Sequence, residues 1–253
     1  MSYRREFMSR FHTAVSANEK CLDQAHYEEC ARQLLGRWGQ WLPKEKGAPI
    51  LELGCGCGEF LYLLRSLGYR NSFGIDLCEG ELEHARRMGL THVACTSALD
   101  YLTGKNQVYE AIAGFHFFEH LPKEEILEIL RVAQHALKPG GRLLAVTPNG
   151  LSPFGGATRY WDFSHETSFT PASWRQLARI SGFDQIRFEE FGPLPHSLLG
   201  AGRVALWTLV KMGWEAIAYI EVGGPRDLSR VYTADMKVIL TKGPKTEGNN
   251  PVS

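Results

Sequence analysis

Residues 50–60, ILELGCGCGEF, decide how this chain is read. A short apolar run, Ile50 to Leu53, gives way to a turn carrying Gly54, Gly56 and Gly58, after which Glu59 to Leu67 takes up a helical pattern. Strand, glycine turn and helix is the arrangement that lets a ligand come close to bare backbone, with the first free N–H groups of the helix pointing at it. The spacing is GxGxG and not the GxGxxG of most dinucleotide folds. Two acids frame the turn: Glu52 at the strand's end, and Asp76 at the end of the next strand, where a carboxylate can bond both hydroxyls of a ribose. A charge at Glu52 would repel a pyrophosphate, but it suits a ligand carrying an ammonium and a sulfonium.

Outward from the turn, the same alternation continues. Ser72 to Ile75 reads as a strand, Gly80 to Met88 as a helix, His92 to Ala94 and Glu110 to Phe115 as strands. Pro122 opens a helix to about Ala136, Lys138-Pro139-Gly140-Gly141 stops it, and Arg142 to Thr147 is the next strand. Single helices between strands imply right-handed crossovers and a doubly wound α/β fold with a mostly parallel sheet. Pro171 to Ser181 is a further helix, Ile186 to Glu190 a strand and Met236 to Thr241 a last strand. The expected organisation is an N-terminal helical cap over 1–46, amphipathic from Asp23 to Trp41, and one domain over 47–243. That domain carries a loop insertion at 148–172 and an apolar helix at 203–222, and a polar tail follows over 244–253.

Four ordered stretches, LELGCGCGEF, GIDL, HFFEHL and LKPGGRLLAVTPNG, resemble the class I S-adenosylmethionine-dependent methyltransferases over roughly Pro49 to Asn149. The resemblance implies a Rossmann-like sheet of seven strands whose final strand, Met236 to Thr241, runs antiparallel between its neighbours. It implies S-adenosyl-L-methionine as cofactor, with Gly54, Gly56 and Gly58 packed against it and Glu52 near its methionine part. Asp76 would bond the ribose and Leu77 would lie beside the adenine, with Ser97, Ala98 and Phe115 completing the cofactor set. The chain departs from the family pattern after the third strand, where Thr96-Ser97-Ala98 and then Asp100 stand in place of the usual acid.

Methyl transfer from a sulfonium is an in-line displacement, so acceptor, methyl and sulfur must be aligned in a water-poor pocket. A hydroxyl acceptor also gains from a base, and His165, His116 and Asp162 are the candidates, with Glu119 and His120 nearby in sequence. The segment Tyr160 to Thr170 mixes aromatics with Asp and His, as expected for stacking on and bonding to a polyhydroxyl substrate. With Pro193-Leu194-Pro195-His196 and the later apolar helix, it is similar to methyltransferases associated with bacterial glycan and surface-polysaccharide assembly. That implies O-methylation of a saccharide or lipid-linked glycan. A quinone-precursor-like or amine acceptor remains open, as do an NAD-dependent oxidoreductase and a cofactor-binding protein without catalysis.

Composition narrows the partners. With 28 basic and 28 acidic residues the formal net charge is zero, which gives no general attraction for nucleic acid. The N-terminal MSYRREFMSRFH lacks the apolar run of a secretory signal, so the expected location is cytoplasmic. The six cysteines have no paired CxxC spacing and read as inert thiols, and no metal is expected from the pattern. If the apolar segment is helical over Val204 to Ile220, the preceding Arg203 gathers with Thr208, Lys211 and Glu215 into one polar stripe, and the apolar remainder calls for a wide buried surface. Core packing, a homodimer or a peripheral membrane contact would each provide it.

Overall fold

The computed structural model describes residues 23–195, 197–224 and 229–244. Expectations that fall on residues 1–22, on His196 and on the tail from 245 lie outside the described residues. In chain order the elements are α1 (Gln24–Trp38), a 3-10 turn (Gly39–Trp41), β1 (Ile50–Leu53), α2 (Glu59–Ser66), β2 (Ser72–Asp76), α3 (Glu79–Arg87) and β3 (Val93–Cys95). There follow α4 (Ala98–Leu102), β4 (Tyr109–Phe115), a 3-10 turn (Phe118–His120), α5 (Lys123–Ala136), β5 (Leu137–Pro148) and α6 (Gly155–Tyr160). The last four are α7 (Pro171–Ile180), β6 (Gln185–Glu190), α8 (Leu198–Val222) and β7 (Asp235–Thr241).

The strands form one sheet in the order β3-β2-β1-β4-β5-β7-β6. All adjacent pairs from β3 to β5 are parallel, whereas β7 is antiparallel to both β5 and β6. The implied topology is therefore present. Because β7 runs against its neighbours, its first residue, Asp235, lies opposite Pro148 at the carboxyl end of β5, the edge where such sheets meet ligands.

Helices cover both faces, which explains why the central strands are apolar at nearly every position and do not alternate. Along β5, Leu143 and Ala145 point into a core with Ile126, Ile129 and Leu130 of α5 and Trp174 of α7. Leu144 and Val146 point the other way, to Trp38 of α1 and Ile239 of β7. Each fully buried leucine of this kind contributes about 1.5–3 kcal/mol. α1 begins where the Asp23 carboxylate, as its N-cap, accepts the His26 N–H at 2.9 Å.

Two differences from expectation have simple causes. β5 starts at Leu137, ahead of the expected Arg142, because Leu137 already faces Tyr109 across the sheet. Lys138 to Gly141 then forms an irregularity, with Gly140 at φ +76°. α8 begins at Leu198, ahead of the expected 203, because the Ser197 hydroxyl caps it by accepting the Gly200 N–H at 3.0 Å.

Among the described residues, α8 does not find the wide buried surface that its apolar side calls for. Two members of its polar stripe meet the body, Lys211 pairing with Glu190 at 3.0 Å and Glu215 with Arg230 at 3.5 Å, and Trp207 beside them donates to Glu190 at 3.2 Å, while Arg203 and Thr208 are exposed. Leu206, Leu209, Met212 and Ile220 are exposed on the other side. Among the described residues no helix is long and apolar enough to cross a membrane.

Candidate active site

The carboxyl ends of β1, β2, β4 and β5 open onto a cavity of about 470 Å³, within the range of small-molecule and cofactor sites. One wall is the glycine turn. Gly54, Gly56 and Gly58 all have positive φ, and Gly58 is the left-handed residue that starts α2. A Cβ at Gly54 would sit 2.8 Å from the Phe117 ring, so side chains are barred there, whereas one at Gly56 would meet nothing nearer than Glu81 at 3.8 Å. At Gly56 the bare backbone leaves space on the cavity side.

Asp76 fixes this turn. Its carboxylate accepts the Gly56 N–H at 2.9 Å and the Cys78 N–H at 2.8 Å, which joins the end of β2 to the turn after β1. Burial raises its pKa, while the bonds from Cys78 and Gly56 pull it back toward the ionised form. Glu52 is the more unusual acid. It is 5% exposed, and its Oε2 has no hydrogen-bond partner among the described residues. Burial, reinforced by the charges of Glu59 and Asp76, pushes its pKa well above the usual carboxylate value.

A buried acid with a raised pKa weakens the fold above its unfolded value, because ionisation then favours the unfolded chain. Glu52→Gln is therefore expected to raise stability near neutral pH by about 1–3 kcal/mol. The gain should fade as pH falls toward 4.5, the ordinary value for this group. Melting curves across that range check it, and a variant less stable than the parent near neutral pH would contradict it.

The opposite wall comes from the ends of β4 and β5, the insertion and β7. His116 follows β4 with φ 49°, a left-handed backbone that aims the ring back over the sheet edge. Its Nδ1 lies 3.1 Å from Oε1 of the fully buried Glu119. Burial lowers the His116 pKa, but the hydrogen bond and charge of Glu119, with Asp235, outweigh it and leave the net shift upward. For His120 burial prevails and the pKa falls.

The insertion is stapled onto the same place. Glu166 and Thr167 donate their N–H groups to the Glu119 carbonyl at 2.7 and 3.1 Å, and Arg159 donates to the carbonyls of His165 and Glu166. This sets His165 beside His120, with ring centroids 4.9 Å apart. Asp162 accepts from the Ser164 hydroxyl at 2.7 Å, and that hydroxyl lies 2.7 Å from His120 Nδ1.

Of the residues singled out in the sequence, Gly54, Gly56, Asp76, Leu77, Ser97, Ala98, His116, Asp162 and His165 line this one cavity. Glu52 and Gly58 stand just behind it and outside its lining. Phe115 does not join them, because it is packed between Trp38, at 4.8 Å, and Phe60, at 5.0 Å, and Phe117 takes the lining position. Ser97 is occupied as the cap of α4, bonded to Asp100 at 2.7 Å. Asn149 shapes its turn: its amide donates to the Val231 and Thr233 carbonyls at 2.9 and 3.1 Å.

Asp235 and Glu81 also line the cavity, and neither stood out in the sequence. Asp235 could have been found from the antiparallel last strand, which brings its first residue to the ligand edge.

A methyltransferase-domain family model matches residues 24–187. The chain is similar to the sarcosine/dimethylglycine N-methyltransferase of Halorhodospira halochloris, 29% identical over 151 residues, which are 56% of this chain and 53% of that protein. It thus spans about half the length of that curated relative. Among solved structures it resembles an S-adenosylmethionine-dependent methyltransferase from Archaeoglobus fulgidus, with TM-score 0.63 and 23% identity over 84% of this chain and 94% of that one. It also resembles the Haemonchus contortus phosphoethanolamine N-methyltransferase 2, with TM-score 0.62 and 16% identity over 96% of this chain and 60% of that one.

Proposed function

Since the chain belongs to the methyltransferase-domain family, we propose that it transfers a methyl group from S-adenosylmethionine to a hydroxyl of a small polyhydroxylated acceptor of saccharide type. The observation that carries this reading is the His116–Glu119 pair on the wall opposite the glycine turn of a single cavity.

The residues present suit the cofactor. Behind the turn Glu52 holds a buried carboxylate oxygen with no hydrogen-bond partner among the described residues, a place where a nearby positive charge would restore its ionisation. Gly54 and Gly56 would give backbone access, Asp76 would bond a ribose, and Leu77 and Ala98 would add apolar surface for a base, all from the lining of one cavity. When bound, S-adenosylmethionine supplies a methyl carbon on a positively charged sulfur. The chain's own task is to align the acceptor and take its proton.

His116 fits the second part of that task. Glu119 accepts from Nδ1 and so leaves the lone pair on Nε2, and its charge stabilises the imidazolium formed when the acceptor proton arrives. Of the two histidines considered as base, His165 is held by the Thr158 carbonyl at 3.1 Å, which supplies no such charge. Tyr160 and Trp161 are 81% and 89% exposed at the insertion, and Trp161 lines the cavity, a position suited to stacking on a sugar face.

A second reading, an amine acceptor, draws on the similarity to the sarcosine/dimethylglycine N-methyltransferase and on the acidic Asp235 in the cavity. A neutral amine attacks with its own electron pair, and its ammonium form can lose the proton to solvent before binding, so it depends less on a base paired with a buried carboxylate. Incubation with methyl-labelled S-adenosylmethionine and matched sets of saccharide and amine acceptors tests the choice. Label in a saccharide ether is expected, and label confined to amines would favour the second reading.

A further inference from the structure

Glu119, His120 and His165 come from two segments far apart in sequence, yet each offers a donor atom within 4.8 Å of the other two. Glu119 and His120 are buried and His165 is partly so. Bonds of about 2.0–2.2 Å to one ion require donor separations of roughly 3–4 Å, which a small side-chain rotation supplies.

The surrounding hydrogen bonds prepare each residue as a ligand. The Ser164 hydroxyl donates to Asp162, so it must accept from His120 Nδ1–H, and this assigns the lone pair of His120 to Nε2. The Thr158 carbonyl can only accept, so His165 also carries its proton on Nδ1 and its lone pair on Nε2. On Glu119, Oε1 is taken by His116, while Oε2, in a side chain with no solvent exposure, has no hydrogen-bond partner among the described residues. A carbonyl or a carboxylate-held hydroxyl on the far nitrogen of each imidazole is the supporting arrangement found around metal-bound histidines.

We propose that Glu119, His120 and His165 form a binding site for a first-row divalent transition-metal ion of the zinc or manganese type, with its open positions toward the methyl-acceptor cavity. Two imidazoles and one carboxylate favour such an ion over magnesium, which prefers an all-oxygen shell. His120 and His165 line the cavity and Glu119 closes the site from behind. Three protein ligands with the remainder open is the pattern of a catalytic rather than a structural ion. In a part that rests on the hydroxyl-acceptor reading, the ion draws electron density from the acceptor oxygen. The O–H bond then breaks toward His116 as the oxygen–methyl bond forms, and the sulfur keeps the electron pair of the broken carbon–sulfur bond.

Calorimetric titration of the chelator-treated full chain with Zn2+, Mn2+ and Mg2+, in the absence of cofactor and acceptor, tests the site. One equivalent of Zn2+ is expected, with Mg2+ far weaker. Glu119→Gln and His165→Gln should each weaken Zn2+ at least tenfold, and Asp162→Asn roughly tenfold through the released His120 ring. Co2+ in place of Zn2+ should give visible ligand-field bands that His165→Gln alters. His165 is partly exposed, so its variant decides the matter even where the buried Glu119 variant fails to fold. No Zn2+ binding, or Zn2+ binding indifferent to His165→Gln and Asp162→Asn, would overturn the site. Undiminished methylation of a saccharide by verified metal-free protein would overturn the ion's part in the reaction. A finding that only amines are methylated overturns the hydroxyl reading and leaves the binding result intact.

Discussion

Asp76→Ala is expected to weaken S-adenosylmethionine binding by about 3 kcal/mol, on the order of a hundredfold in Kd. Two losses combine in that figure. The carboxylate that we propose bonds the ribose hydroxyls disappears, and so do its bonds to the Gly56 and Cys78 N–H groups, which hold the glycine turn against the end of β2. Asp76→Asn separates the two: its amide oxygen can still accept one backbone N–H, so the turn should persist while charge-assisted bonding to a ribose is lost. Calorimetry with S-adenosylmethionine and with S-adenosylhomocysteine reads both variants. Affinities equal to the parent's for Asp76→Ala would remove this residue from the cofactor site.

His116→Gln should lower turnover by roughly 10²- to 10⁴-fold, the usual range for removing a positioned base. Cofactor affinity should stay within a few-fold, because His116 stands on the wall opposite the glycine turn. Glutamine keeps approximate size and can still donate to Glu119, so the buried carboxylate is not left bare and the fold should hold. Rates at saturating acceptor, compared with cofactor affinity from calorimetry, separate a chemical defect from a binding one. An unchanged rate would mean that another group takes the proton.

Much of the cavity wall around the glycine turn could be read directly from residue order. Glycine spacing, the acid before the turn and the acid ending β2 are local features, and in a parallel sheet the ends of successive strands lie on one edge by construction. Phe115 shows the limit of this logic. Position at a strand's end placed it on the right edge, but alternation along β4 turns its ring toward Trp38 and Phe60, and only the partners on each face decide which way an apolar ring points.

The acceptor side depends on long-range contacts. The 45 or so residues between His120 and His165 carry no metal-type spacing, and the two rings meet because backbone N–H groups of the insertion dock on the Glu119 carbonyl. Asp235 reaches the cavity from still further along the chain, as the first residue of the antiparallel β7. The way α8 lies against the body depends on contacts of the same kind. Its periodicity shows a polar stripe and an apolar remainder, but the partners that draw Lys211 and Glu215 inward, Glu190 and Arg230, are distant in sequence.

The placement of β7 also bears on how the molecule is made. β5 and β6 are synthesised with a gap between them that only residues 235–241 can fill, so two strand edges wait unpaired while the intervening chain emerges from the ribosome. During that interval those unpaired edges leave the nascent protein open to intermolecular strand pairing.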